Sequence, residues 1–140
     1  EQFEYLRWPG KWDQVTTNML EMRDSIPPNH MFLLEETTSI FNLPYRSRLQ
    51  TWHKKNFSEN RLGDIIHFTN HYANGTFALN SMTQEYYDDF KNTPGVPWKF
   101  KENSHKIKSM IKEIQKFDTI RKQNWLDTFP ILEKYYARYL

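Results

Sequence analysis

The stretch Met31-Phe32-Leu33-Leu34-Glu35-Glu36-Thr37-Thr38-Ser39-Ile40-Phe41-Asn42 decides how the fold is read. Its apolar opening has the character of a buried strand, and its acidic and hydroxylic end runs directly into a helix start at Asn42 and Pro44. In α/β sheets ligands sit beyond the carboxyl ends of the strands, so an edge of this kind is where a site is expected. A strand that merely emerges into solvent would leave the same pattern. The neighbouring segments separate the two readings.

Upstream, Trp12, Val15, Met19 and Met22 fall on one side of an amphipathic helix. Ile26-Pro27-Pro28-Asn29 ends it, because proline cannot continue a helix. The strand then runs over Met31–Ile40. Downstream, Asn42 suits an N-cap and Pro44 the first turn of a second helix, with Tyr45, Leu49 and Trp52 on its buried side. Asn60-Arg61-Leu62-Gly63-Asp64 reads as a turn and Ile65–His71 as the next strand. The crossover between the strands takes about 25 residues, which favours parallel pairing over a hairpin. The expected fold class is therefore α/β: a partial (β/α) barrel with parallel strands over residues 1–75. A mostly helical C-terminal extension over 76–140 packs on it within the same domain.

In that extension Ser81-Met82-Thr83-Gln84 offers a capped start for a helix carrying Tyr86, Tyr87 and Phe90. A loop with Pro94, Gly95 and Pro97 comes next, with Trp98 and Phe100 as its expected anchors. Ile107, Met110, Ile111, Ile114 and Phe117 mark a long helix with lysines on its other face, and Thr128 with Pro130 opens a last one bearing Leu132, Tyr135, Tyr136 and Tyr139.

A chain of 140 residues suits one modest core, and with 38% hydrophobic but 16% aromatic residues that core is expected to be built from rings. A net charge of +2 is too balanced to name a polyanionic partner by itself. No apolar run approaches the roughly 18–20 residues of a membrane span, and no secretory segment opens the chain. The absence of cysteine removes disulfides, thiolate metal sites, thiolate-held clusters and cysteine nucleophiles together, and fits a reducing, cytoplasmic setting. Asn56-Phe57-Ser58 and Asn74-Gly75-Thr76 then read as chance matches to the glycosylation triplet. Without an opening Met, the chain is expected to be a processed product or a fragment.

Glu35 and Glu36 look like a carboxylate pair, but neighbours on a strand point to opposite faces and cannot work as a dyad. Glu35, Thr37 and Ser39 share one face, and on the next strand His67, Thr69 and His71 share another. Two such polar stripes side by side point to a polar lumen. On a strand His67 and His71 lie roughly 13 Å apart, too far to hold one metal, and no metal is expected. With only four glycines there is little room for a phosphate-cradling loop. Lys99, Lys101, Lys106, Lys108, Lys112, Lys116, Arg121 and Lys122 form a basic run, diluted by Glu102, Glu113 and Asp118. Such a run is more often the solvated face of a helix than a nucleic-acid surface.

The segment Glu4-Tyr5-Leu6-Arg7-Trp8-Pro9-Gly10-Lys11-Trp12, with Val15 and Asn18, resembles the region after the fourth barrel strand in radical S-adenosylmethionine proteins of the SPASM and twitch kind. Thr37-Thr38-Ser39-Ile40-Phe41-Asn42 looks like their fifth strand, Leu49 and Trp52 match the helix after it, and Ile65–His71 looks like the sixth. The likeness covers about the first half of the chain. It implies that Arg7 holds the carboxylate of S-adenosylmethionine and that Phe68 to Asn70 lie by its adenine. Ser39 would face cofactor, and Glu35, Thr37, Thr69 and His71 would face substrate. The family's cysteine triad is missing, so a [4Fe-4S] cluster and S-adenosylmethionine are implied only for a complete parent protein, and this chain alone would bind neither and be inactive.

Two functions are consistent with these readings. One is the C-terminal half of a radical S-adenosylmethionine barrel, completed by a missing N-terminal half or covered in a homodimer through its open edges. The other is a non-enzymatic module that binds a protein or nucleic-acid partner through its aromatic and basic C-terminal half.

Overall fold

The computed structural model describes residues 2–7, 9–27, 34–57, 68–73, 75–93 and 96–140, the side chains at 34–35, 68–72 and 76 excepted. Met31 to Leu33, the Asn60–Asp64 turn and Ile65 to His67 fall outside the described residues. The chain divides into two compact units: Glu1–Glu36 with Tyr45–His71, and Thr37–Pro44 with Tyr72–Leu140.

The first unit is built on rings. Helix α1 (Gln2–Leu6) is followed by α2 (Trp12–Ser25) and α3 (Arg46–Phe57). Phe3 meets Trp12 and Trp12 meets Trp52, each with ring centroids 5.3 Å apart, and Trp52 meets Phe57 at 5.7 Å. The tilted and edge-on geometries are those that aromatic quadrupoles prefer, worth about 0.5–1.5 kcal/mol per pair beyond area burial. Arg23 on α2 lies over the Phe57 ring at 5.7 Å and donates Nη1 to the Asn56 carbonyl, so a cation ties the two helices at their ends. Gly10 follows the last turn of α1: its N–H donates to the Arg7 carbonyl at 2.7 Å, and a Cβ there would stand 2.8 Å from that same oxygen.

Strand β1 (Leu34–Thr38) pairs with β2 (Phe68–Tyr72) in a sheet of two strands. Just past the strands, Ala73 donates its N–H to the Thr38 carbonyl at 2.9 Å and Ile40 donates to the Phe77 carbonyl at 3.3 Å, the numbers rising together on both segments. This ribbon corrects the expected fold class. Among the described residues the chain is mostly helical, and no α/β partial barrel is present. A parallel barrel sheet is covered on both faces and needs near-continuous apolar strands. Leu34-Glu35-Glu36-Thr37-Thr38 and Phe68-Thr69-Asn70-His71-Tyr72 are too short and too polar to provide them. The half-barrel lumen expected to face a cofactor goes with that correction.

The second unit carries a helical core. Helix α4 (Gln84–Phe90) is capped by Thr83, whose Oγ1 accepts from the Tyr86 N–H at 3.2 Å, two residues after the Ser81 cap that a capping box over Ser81–Gln84 would use. Helix α5 (Ser104–Arg121) buries Ile107, Met110, Ile111 and Ile114, a spacing of three and four that keeps one face apolar. It packs on the short 3₁₀ turns Gly75–Phe77 and Leu79–Ser81 and on the closing turn Ala137–Tyr139. Helices α6 (Trp125–Thr128) and α7 (Ile131–Tyr136) add Trp125, Leu132, Tyr135 and Tyr136. Thr128 closes α6, and Pro130 takes the N-cap of α7. At the centre sits Phe41, 1% exposed, against Phe77, Trp125 and Phe129. Two tyrosines bury their rings and spend their hydroxyls on backbone: Tyr86 donates to the Ile40 carbonyl at 2.7 Å and Tyr136 to the Ser81 carbonyl at 3.1 Å. No helix among the described residues is long and apolar enough to cross a membrane.

Candidate polyanion-binding face

Helix α5 owes its position to its two ends. At its start the Asn103 side chain accepts from the Lys106 N–H at 3.1 Å. At its end Lys122 turns left-handed, with φ of 54°, and Gln123 donates its N–H back to the Asp118 carbonyl at 3.0 Å, the closing bond of a Schellman turn. Between these caps the buried Ile and Met stripe fixes the rotation of the helix, so Lys108, Lys112 and Lys116, four residues apart, share the opposite exposed face with His105. From Lys108 to Lys116 the axis rises about 12 Å, a length over which one strand of a duplex carries three to four phosphates.

The acids that dilute this run in the sequence are largely taken up elsewhere. Glu102 accepts from Arg138 Nη2 at 2.6 and 2.7 Å, from the Gln84 N–H at 2.5 Å and from the Tyr139 hydroxyl. Burial works to raise its pKa, but the Tyr139 hydroxyl, the Gln84 N–H and the Arg138 guanidinium outweigh burial and hold it below the ordinary glutamate value. Asp118 accepts from the Trp125 N–H at 3.0 Å. Glu113 lies 3.7 Å from Lys116 in an exposed pair. Lys101, Lys106, Lys108, Lys112 and Lys122 are exposed, with no carboxylate in ion-pair distance among the described residues.

The loop before α5 adds a ring. Phe100 anchors it by stacking on Tyr87, centroids 5.0 Å apart and planes 22° from parallel, and the Tyr87 hydroxyl donates to the Trp98 carbonyl at 3.1 Å. Trp98 itself, expected to be an anchor, is 81% exposed, with Lys99 Nζ 4.2 Å from its ring centroid.

The residues singled out in the sequence lie elsewhere. Arg7 follows α1 with an exposed side chain, its N–H donating to the Phe3 carbonyl at 2.8 Å. Thr37 and Ser39 are brought together by Asn42, whose side chain turns back on the end of β1: Asn42 Nδ2 donates to the Thr37 carbonyl at 2.7 Å, and its Oδ1 accepts from the Ser39 N–H at 2.7 Å. Ser39 is buried and its Oγ accepts from the Phe41 N–H, whereas the Thr37 side chain is exposed. Glu35 lies on β1 and Phe68, Thr69, Asn70 and His71 on β2, their side chains outside the described residues. No group of three metal-ligating side chains is assembled among the described residues. Without cysteine, the residues present do not fit the cluster implied by the resemblance.

Sequence reasoning weighs Glu36 only against Glu35 and passes over its pairing with Arg46. Arg46 Nε donates to Glu36 Oε2 at 2.9 Å with both side chains nearly sealed from water, and Glu36 Oε1 has no hydrogen-bond partner among the described residues. Burial pushes the Glu36 carboxyl up, more than the adjoining guanidinium pulls it down. Asp89 escapes it as well: this carboxylate accepts from the Tyr135 hydroxyl at 2.7 Å and from Lys134 Nζ at 2.9 Å, both of which hold it low. No local pattern signals the first pairing, and 46 residues separate the members of the second.

Compared with protein-family models, curated proteins and solved structures, the chain matches none.

Proposed function

We propose that this chain is a nucleic-acid-binding module that engages a phosphate backbone through the lysine face of α5. The observation that carries the reading is the sorting of charge. Glu102 and Asp118 are drawn into intramolecular hydrogen bonds, while Lys101, Lys106, Lys108, Lys112 and Lys122 stand exposed with no carboxylate in ion-pair distance among the described residues. The balanced net charge of the chain therefore conceals a locally basic face. Such a face supplies the sequence-independent, salt-dependent attraction that underlies non-specific nucleic-acid binding, with Kd of about 10⁻⁴–10⁻⁶ M at physiological salt.

Anisotropy of a labelled oligonucleotide, titrated across a series of salt concentrations, tests the proposal. Binding is expected to weaken linearly in log–log form. Reversal of Lys108 and Lys112 to Glu is expected to remove most of the affinity and flatten the slope, each lost phosphate contact counting for about 0.7–0.9. Binding that ignores salt, or a reversal variant that binds like the parent, refutes it.

A further inference from the structure

Within the same unit, and resting on the lysine-face reading above, we infer that Trp98 is a base-stacking platform and that the nucleic acid bound is single-stranded. A tryptophan buries more apolar area than almost any other residue, so one left 81% exposed is unusual for a ring with no role in the core. Disorder of its backbone does not account for it. The Trp98 carbonyl is held by the Tyr87 hydroxyl, and two residues on Phe100 stacks on the Tyr87 ring. The chain is thus pinned on the protein side while the indole is held out in water.

The neighbours give the chemistry of the occupant. Lys99 sits over the indole and Lys101 lies three residues past Trp98, both exposed, and Asn103 then caps the helix that carries Lys108 and Lys112. An apolar protein surface would have to desolvate those ammonium groups. A nucleobase covers the ring and brings its own phosphate to the lysines. The five residue steps from Trp98 to Asn103 span at most about 18 Å, so ring and lysine face serve one strand. In a duplex the base faces are stacked and closed to the indole, whereas in a single strand each offers a free π-face.

Four proteins distinguish the outcomes: the full chain, Trp98→Ala, Trp98→Phe and Lys112→Glu, each titrated against labelled oligothymidylate and a duplex of the same length. Trp98→Ala is expected to weaken oligothymidylate roughly 5- to 150-fold while changing duplex binding little, and Trp98→Phe to restore most of the loss. The quenching of tryptophan emission by oligothymidylate is expected to fall in Trp98→Ala. Lys112→Glu is expected to weaken both probes. Because Trp98 is exposed, thermal melting of Trp98→Ala should match the parent, which excludes misfolding as the cause.

Unchanged oligothymidylate binding by Trp98→Ala, or an equal loss on both probes, overturns the stacking platform while leaving the lysine face standing. Competition by poly-glutamate as effective as by oligothymidylate does the same, because charge alone would then explain binding. No binding of either nucleic acid overturns both.

Discussion

Arg46 and Glu36 meet at 2.9 Å with 5% and 3% of their side chains exposed, a charged pair joining the first residue of a helix to the middle of a strand in the same unit. Removing one partner of such a pair strands the other. Arg46→Met is expected to cost about 3–5 kcal/mol, whereas Glu36→Leu combined with Arg46→Met should be near neutral, since buried pairs repay little more than their own desolvation. Urea unfolding of the three proteins measures both. The pH dependence has a definite sign. Because Glu36 is raised above 4.5, in the window between that value and its folded value the folded state holds a proton the unfolded chain has released. Its contribution to stability therefore falls as pH rises through that window, and Glu36→Gln is expected to remove this slope.

Thr38 is fully buried and its Oγ1 has no hydrogen-bond partner among the described residues. Valine has the same shape without the hydroxyl. Thr38→Val is expected to stabilise the protein by about 1–3 kcal/mol, the cost of burying an unsatisfied hydroxyl. A raised denaturation midpoint at unchanged m-value would bear this out, and a lowered one would refute it.

Much of the second unit is legible in the sequence because the period of Ile107, Met110, Ile111 and Ile114 is a local signal, and packing does not override it. The strand misleads for a reason a sequence hides. Glu36 and Thr38, not the outward Thr37, turn inward. Glu36 tolerates this through a guanidinium ten positions away, and no pattern marks that pairing. Trp98 misleads in the opposite direction: large rings are ordinarily core, and nothing in Val96-Pro97-Trp98-Lys99 announces that this one is held outside. The lysine run can be read, but not the withdrawal of its acids into Arg138, Tyr139 and Trp125.

Glu102 gathers Arg138, Tyr139 and the first N–H of α4, so Glu102→Gln should cost about 1.5–3 kcal/mol at neutral pH. Its folded value lies below 4.5, so its contribution is fully present above 4.5 and is lost as pH falls through the folded value. Thermal melts of parent and variant should converge as the solution is acidified below 4.5. A gap that widens there would contradict the assignment.

Tyr135 is pushed up to about 12 by burial and by its hydrogen bond to Asp89. In an alkaline titration followed by tyrosinate absorbance, the difference between parent and Tyr135→Phe should have its midpoint near 12. Asp89→Asn removes the charge that Tyr135 would have to ionise against, and should move that midpoint down. A midpoint at the ordinary 10.0 would show that the hydroxyl is not held as described.

Residues Thr37–Pro44 belong to a unit whose remaining residues begin only at Tyr72. Ribosomal synthesis proceeds from the N-terminus, so Ile40 and Phe41 emerge long before Tyr86, Trp125 and Phe129, the side chains that enclose them. At about 5–20 residues per second that interval is on the order of 10 s. For that time an apolar dipeptide beside a short, polar strand waits in the open. On the growing chain Ile40 and Phe41 therefore lack the side chains that enclose them until the last two helices have left the ribosome.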